Sequence, residues 1–295
     1  MKKYSNVAIV TSFFCLWIVS LISDKYQLIL GFLLIFTFGI LHGANDIVLI
    51  TTLNKSKKNL SFFKILLYYI VIVSIGATCF YLFPLTALLM FIIVSGYHFG
   101  EQQWQIFDSY KNNNIIIAFK SVYGIFILFL LFNFHKIEVQ NIVLQITSVL
   151  IPVFYILVVF KIFGTLLFCF LLYLYIYEKN YRLQILLECF YILVFSVIFM
   201  SASLIWGFAI FFIIWHSVPS IMDQIKFLYN EVNLENFKAY FKSAFLYWIA
   251  SLFGIAVLYF IFKDEKIFNA LFFSALASIT FPHAFVIVNM YKKSI

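Results

Sequence analysis

The chain has 295 residues, 65% of them hydrophobic and only 11% charged, with a mean hydropathy of +1.05. A soluble globular chain carries about a quarter charged residues, so this composition excludes a soluble enzyme and reads as a polytopic membrane protein. The formal charge of +8, from 20 Lys+Arg against 12 Asp+Glu, is scattered over short loops between apolar runs, which speaks against nucleic acid as a partner and for a topology signal.

About ten segments reach the roughly 20 apolar residues that a crossing needs. In chain order they are Val7 to Ile22, Leu28 to Ile50, Ser61 to Phe83, Leu85 to Phe107, Ile115 to Phe134, Tyr155 to Tyr177, Leu183 to Ser201, Leu204 to Ile225, Ser243 to Phe262 and Ile267 to Met290. The first follows MKKYSN and has no small-residue cleavage site after it, so it reads as a membrane helix and not a removable leader. Between the fifth and sixth spans, Ile142 to Phe160 is interrupted by Pro152 and reads as interfacial or re-entrant. The expected fold is all-α: a transmembrane bundle of about eight to ten spanning helices, one membrane domain over residues 1–295, multi-pass in the plasma membrane.

An even number of crossings puts both termini on one side. Basic residues assign that side to the cytoplasm: Lys2 and Lys3, the Lys55-Ser56-Lys57-Lys58 loop, Lys111, Lys179 with Arg182, Lys226 to Lys242, and Lys292 with Lys293. The opposite loops hold fewer, chiefly Lys25, Lys136, Lys263 and Lys266. Cys15, Cys79, Cys169 and Cys189 lie within apolar runs at no metal or redox spacing and read as packing or lipid-facing residues.

Four of the five histidines sit inside apolar spans: His42 in GILHGANDI, His98 in SGYHFGEQQW, His216 in IIWHSVPS and His283 in TFPHAFVI. An ionisable side chain at membrane depth is a functional hypothesis by default, and neutral imidazole is the commonest protein ligand for transition metals. The four fall in the second, fourth, eighth and tenth spans, which all run the same way across the membrane. Each lies some 7 to 9 residues from its cytoplasmic span end, about 10 to 14 Å at 1.5 Å per residue, so the four imidazoles can converge on one point. Taken singly, a histidine in a membrane helix is more often a hydrogen-bonding residue between helices. His135, in FNFHKIEV at an outer helix end, reads as an ordinary solvated residue.

Carboxylates stand near two of the four. Asp46 follows His42 by four residues and Glu101 follows His98 by three, on or near the same helix faces. Each is placed to accept the second ring N–H of a metal-bound histidine or to pair with basic loops at the surface. Asp223, two turns beyond His216, reads as interfacial. Pro219 and Pro282 adjoin two of the histidine positions and would bend their helices locally.

At these motifs the chain resembles the Brp/Blh-like β-carotene 15,15′-dioxygenases of bacteria and archaea, integral membrane enzymes that form retinal. The matching residues are His42-Gly43-Ala44 with Asp46, Tyr97-His98-Phe99-Gly100-Glu101, His216-Ser217 and Pro282-His283, an ordered set running through almost the whole chain. The resemblance implies Fe(2+) held by His42, His98, His216 and His283 as the catalytic group. It implies β-carotene and O2 as substrates, cut at the central double bond to two molecules of retinal, with the product passed to a microbial rhodopsin. Some members resemble His-Ser-x-x-His at the third motif, where this chain has Ser220 in place of the second histidine. Forty Phe, 19 Tyr and 5 Trp suit an apolar tunnel for a polyene, and Tyr97, Phe99, Trp104, Trp215, Phe281 and Phe285 are its candidates by nearness in sequence.

Other classes use the same histidines differently. A membrane transporter would place them on an ion or proton path, and a haem-binding membrane protein would pair them axially across a porphyrin. A di-iron desaturase or hydroxylase would need about eight clustered histidines, and five is too few.

Overall fold

The computed structural model describes residues 2–54, 61–107, 114–261 and 265–294. The basic loop of Lys55, Lys57 and Lys58, together with Lys111 and Lys263, lies outside them. Among the described residues there are helices and no strands, as backbone in hydrocarbon requires when every N–H and C=O must be satisfied within its own segment.

The helices are α1 (Lys2–Val19), α2 (Asp24–Leu53), α3 (Phe62–Leu82), α4 (Pro84–Gln103), α5 (Asn114–Phe134), α6 (Lys136–Thr147), α7 (Val153–Tyr177), α8 (Arg182–Ser201), α9 (Leu204–Tyr229), α10 (Leu234–Ile261) and α11 (Glu265–Ser294). Nine of these segments among the described residues are long and apolar enough to cross a membrane, and α1 is a shorter apolar helix. The chain is thus an all-α polytopic bundle.

The stretch from Ile142 to Phe160 resolves into two elements. Helix α6 turns Val139, Ile142, Val143 and Ile146 inward and Lys136, Asn141 and Gln145 outward, the i, i+3, i+4, i+7 pattern of a helix lying on a core. It ends at Ser148, which takes the left-handed conformation at φ 57°. Pro152 then stands immediately before α7, where its missing N–H costs nothing.

The largest core is aromatic and aliphatic, built from α4, α5, α8 and α9 around Trp104, Phe119, Phe195, Phe199 and Phe211. Its polar joint is Glu188 on α8, fully buried. Gln103 donates to both its oxygens at 2.9 and 2.8 Å, Gln184 donates at 2.8 Å and Tyr123 at 3.2 Å. A buried carboxylate must be hydrogen-bonded to persist, and this one fastens the end of α4 to α5 and α8.

Helices α4 and α5 approach closely along Gly96, Gly100 and Gly124. A Cβ on Gly100 would fall on the Lys120 carbonyl, and one on Gly124 on the Gly96 carbonyl. Small residues four apart let membrane helices meet backbone to backbone. Here the Gly96–Gly100 pair brackets His98 and presses that part of α4 against α5.

Gly100→Ala and Gly124→Ala should each destabilise the bundle by about 1–3 kcal/mol through overpacking, read as a lower melting temperature in detergent. Gly254→Ala, where a Cβ meets nothing within 4 Å, should melt like the parent chain.

Candidate metal centre

The histidine-bearing helices depart from regular α geometry at the site. In α2, residues Ile35–Gly39 form a π-helical turn, and a break at Ala44 and Asn45 separates Ile40–Gly43 from Asp46–Leu53. In α9, Phe211–Ser217 is π-helical, and Pro219 opens the α-helical turns that follow. A π turn inserts one residue and rotates everything beyond it, and such turns gather at functional sites. The two π segments pack on each other where Gly39 leaves no room for a side chain against the Phe212 ring.

Four buried imidazoles meet there in a closed cycle. Ring centroids are 4.6 Å apart for His42 and His283, 5.2 Å for His283 and His98, 4.7 Å for His98 and His216, and 5.3 Å for His216 and His42. Each pair stands edge to face at 82–90°. One ring nitrogen each from His42, His98 and His283 lies within 4.8 Å of the other two. That spacing brings three imidazole nitrogens close enough together to be candidate ligands of one ion. His216 falls outside that trio but shares two edges of the cycle.

The count from helix ends does not locate this meeting point. His98 lies five residues before the end of α4, His42 and His283 eleven before the ends of α2 and α11, and His216 thirteen before the end of α9. The helices overrun the site unequally, and the rings converge through the π turns and the break.

Hydrogen bonds set the tautomers. His42 donates from Nδ1 to the Gly39 carbonyl. His283 donates from Nδ1 to Asp46 Oδ1 at 2.8 Å, and Tyr69 donates to Asp46 Oδ2 at 2.8 Å. Carbonyl and carboxylate oxygens only accept, so both rings carry their proton on Nδ1 and turn a lone pair outward on Nε2. His98 Nδ1 and Nε2, His216 Nε2 and His283 Nε2 are buried without a hydrogen-bond partner. Orphaned polar atoms at such density are rare in native proteins, and a donor set of neutral imidazoles fits a borderline transition-metal ion.

Asp46 therefore orients His283 on α11 and not His42 on its own helix. The break at Ala44 and Asn45 ends the run in which residues four apart share a face, so the spacing within α2 does not carry across it. Glu101 is buried instead of interfacial, and it accepts from Tyr97 at 3.0 Å. Asp223 is held by Gln105 at 3.0 Å and Tyr291 at 3.1 Å. His135 is half-buried and donates from Nε2 to the Phe199 carbonyl at 2.8 Å. Ser220 is buried and accepts from Gln224 at 3.1 Å, away from the cavity wall.

Two glutamines absent from the expected set lace the site together. Gln102, one turn beyond His98, donates to the His216 carbonyl at 2.9 Å, and Gln224 donates to the His42 carbonyl at 2.8 Å while accepting from Tyr240 at 2.9 Å. Buried amides serving the backbone of another histidine's helix hold the irregular turns in place, each bond contributing about 1 kcal/mol net.

The rings face a cavity of about 360 Å³. Of the aromatic residues adjoining the histidines only Phe99 lines it. Trp215 packs between Tyr191 and Phe195 and donates to Ser12 Oγ at 3.0 Å, Trp104 is buried against Phe119, Phe281 packs by Phe80 and Ala87, and Phe285 is 71% exposed. One or two residues along a helix turns a side chain through about 100° or 200°, away from its neighbour's face. The actual wall follows the helical repeat: Phe208 and Phe212 before His216, Phe91 and Ser95 before His98, and Leu276 and Thr280 before His283.

The description "Beta-carotene 15,15'-dioxygenase" belongs to the family model that matches residues 33–291. Neither the curated proteins nor the solved structures provide a match to the chain.

An orienting carboxylate predicts that Asp46→Asn weakens metal binding about 10- to 100-fold and that Tyr69→Phe weakens it by less. Glu101→Gln should bind metal like the parent chain, all three measured by equilibrium titration of the purified protein. Equal affinity in the Asp46 variant would remove its orienting role.

Proposed function

Given that the chain belongs to the β-carotene 15,15′-dioxygenase family, we propose that it cleaves β-carotene at its central double bond with O2, giving two molecules of retinal, at an iron(II) ion held by His42, His98, His216 and His283. The observation that carries the ligand assignment is the closed cycle of four buried imidazoles, the Nε2 atoms of His98, His216 and His283 unpaired, beside an apolar cavity. Iron(II), when bound, supplies the activation of dioxygen towards an unactivated alkene.

The protein's own residues supply position and dryness. Asp46 and the Gly39 carbonyl keep the protons of His283 and His42 on Nδ1, so that both present a lone pair without rearrangement. Phe99, Phe208, Phe212 and Leu276 exclude water and offer a polyene no hydrogen bond to lose. The overall change breaks one C=C bond and forms two C=O bonds, the four electrons of the double bond reducing one O2. Regioselectivity then follows from which double bond the walls bring beside the histidines.

The haem alternative is disfavoured because neighbouring rings touch edge to face and leave no porphyrin-wide slot between them. A transporter is disfavoured by the mostly apolar wall around the rings. With α1 as a tenth crossing, both termini lie on the side marked by Lys179, Arg182, Lys292 and Lys293, the cytoplasmic face of the plasma membrane. Retinal would leave into the bilayer, where a rhodopsin-type protein can take it up.

Replacing His42, His98, His216 or His283 singly by Ala should abolish retinal formation with membrane insertion retained. His135→Ala should keep parental turnover, losing only about 1 kcal/mol of stability with its bond to Phe199. Carotene-producing cells expressing each variant, with retinal extracted and identified, provide the assay; full activity in any of the four would contradict the ligand set. In detergent, β-carotene should give retinal as the sole aldehyde, with activity lost on chelation and restored by iron(II). Longer apocarotenals would mean off-centre cleavage.

A further inference from the structure

A second cavity of about 580 Å³ adjoins the first and shares with it the lining residues Phe91, Ser95 and Phe99 on α4, Phe208 on α9 and Leu276 on α11. From these shared residues its lining continues back along α4 through Ile92 and Leu88 to Leu85, a stripe at the three- and four-residue spacing of one helix face. Leu85 stands thirteen residues before His98, about 20 Å at 1.5 Å per residue. The far end is floored by Val139, Val143 and Ile146 of α6 and by the segment before α7. Gln140 donates to the Ile151 carbonyl at 2.7 Å, and Thr147 Oγ1 accepts from the Val149 amide at 3.1 Å, so that segment is tied down.

The lining is Leu, Ile, Val and Phe apart from a few residues such as Gln140, whose amide is already engaged. A polar ligand would lose its hydration there with nothing in return, whereas a long hydrocarbon gains about 25 cal/mol per Å² buried. The first cavity ends differently. It reaches Leu66 and Tyr69 on α3 and Tyr247 and the exposed Ala250 on α10, an edge that faces lipid.

We propose that the second chamber binds one arm of the linear polyene, threaded from the α3/α10 edge past the histidines, and that its floor on α6 decides which double bond stops beside them. The inference rests on the carotene-cleaving reading and adds the subsite that sets its position. Helix α6, which carries no histidine of the site and does not span the membrane, is then a specificity element.

The test compares β-carotene with an apocarotenal that keeps one complete arm and ends shortly past the central double bond on the other. Both give retinal in purified, iron-loaded protein. The truncated arm still fits a shortened chamber, with the complete arm left towards the α3/α10 edge, whereas neither arm of β-carotene does. Val143→Trp on the floor and Leu85→Trp on the opposite wall should each lower the ratio of kcat/KM for β-carotene to that for the truncated substrate by about tenfold or more. Leu144→Trp, on the outward face of α6, should keep the parental ratio. An unchanged ratio in Val143→Trp and Leu85→Trp, including a uniform loss on both substrates, means the chamber holds a lipid chain or nothing. Absence of retinal from either substrate in the parent chain would instead overturn the cleavage reading itself.

Discussion

A lone pair on a buried imidazole must be matched by a donor or an ion, because the surrounding hydrocarbon gives it no water. Everything at the centre of this bundle answers to that constraint. The Nδ1 positions of His42 and His283 are satisfied within the protein, by Gly39 and Asp46. The Nε2 positions of His98, His216 and His283 are not. Four rings held in mutual contact with the nitrogens of three of them unmatched is a costly arrangement by itself, since several kcal/mol of unmet hydrogen bonding is a large share of a protein's net stability. A metal ion held by those nitrogens would convert that cost into binding energy, and its affinity would then contribute directly to the stability of the loaded bundle.

The irregular helix geometry follows from bringing four helices to one point. A regular helix presents a given face over many turns, but α2 and α9 must deliver a single ring each and then pack elsewhere. The π turns at Ile35–Gly39 and Phe211–Ser217 and the break before Asp46 achieve this locally. The carbonyls near such turns need partners, and Gln102 and Gln224 provide them at the His216 and His42 positions. The close α4–α5 contact at Gly96, Gly100 and Gly124, with the Glu188 joint beside it, gives His98 a rigid backing. Positioning comes from backbone and amides, and the cavity walls are left free to be apolar.

Much of this was legible in the residues. Apolar runs located most of the long helices to within about five positions, α10 starting at Leu234, well ahead of the run from Ser243; Pro152 marked the interruption that separates α6 from α7, and histidines inside hydrocarbon stood out by their cost. What was not legible depends on distance or on helix phase. The partner of Asp46 lies on α11 because a two-residue break resets the phase, and nothing in the local spacing announces that break. Gln102 and Gln224 lie close to helix ends, where amides are common, and their acceptors are on other helices. The aromatic neighbours Trp215, Phe281 and Phe285 misled because nearness along a helix is not nearness in space. Counting three, four, seven or eight residues back from each histidine would have found Ser95, Phe91, Phe208, Phe212, Leu276 and Thr280 from the sequence.

The central claim is that one ion sits within the imidazole cycle. X-ray absorption at the iron edge, with metal analysis of the same protein loaded with iron(II), tests it most directly. The account predicts one iron per chain, in a first shell dominated by imidazole nitrogen and without the spectral signature of a porphyrin. Substoichiometric iron that washes away, or a shell of oxygen ligands that is unchanged when His98 is replaced, would contradict it.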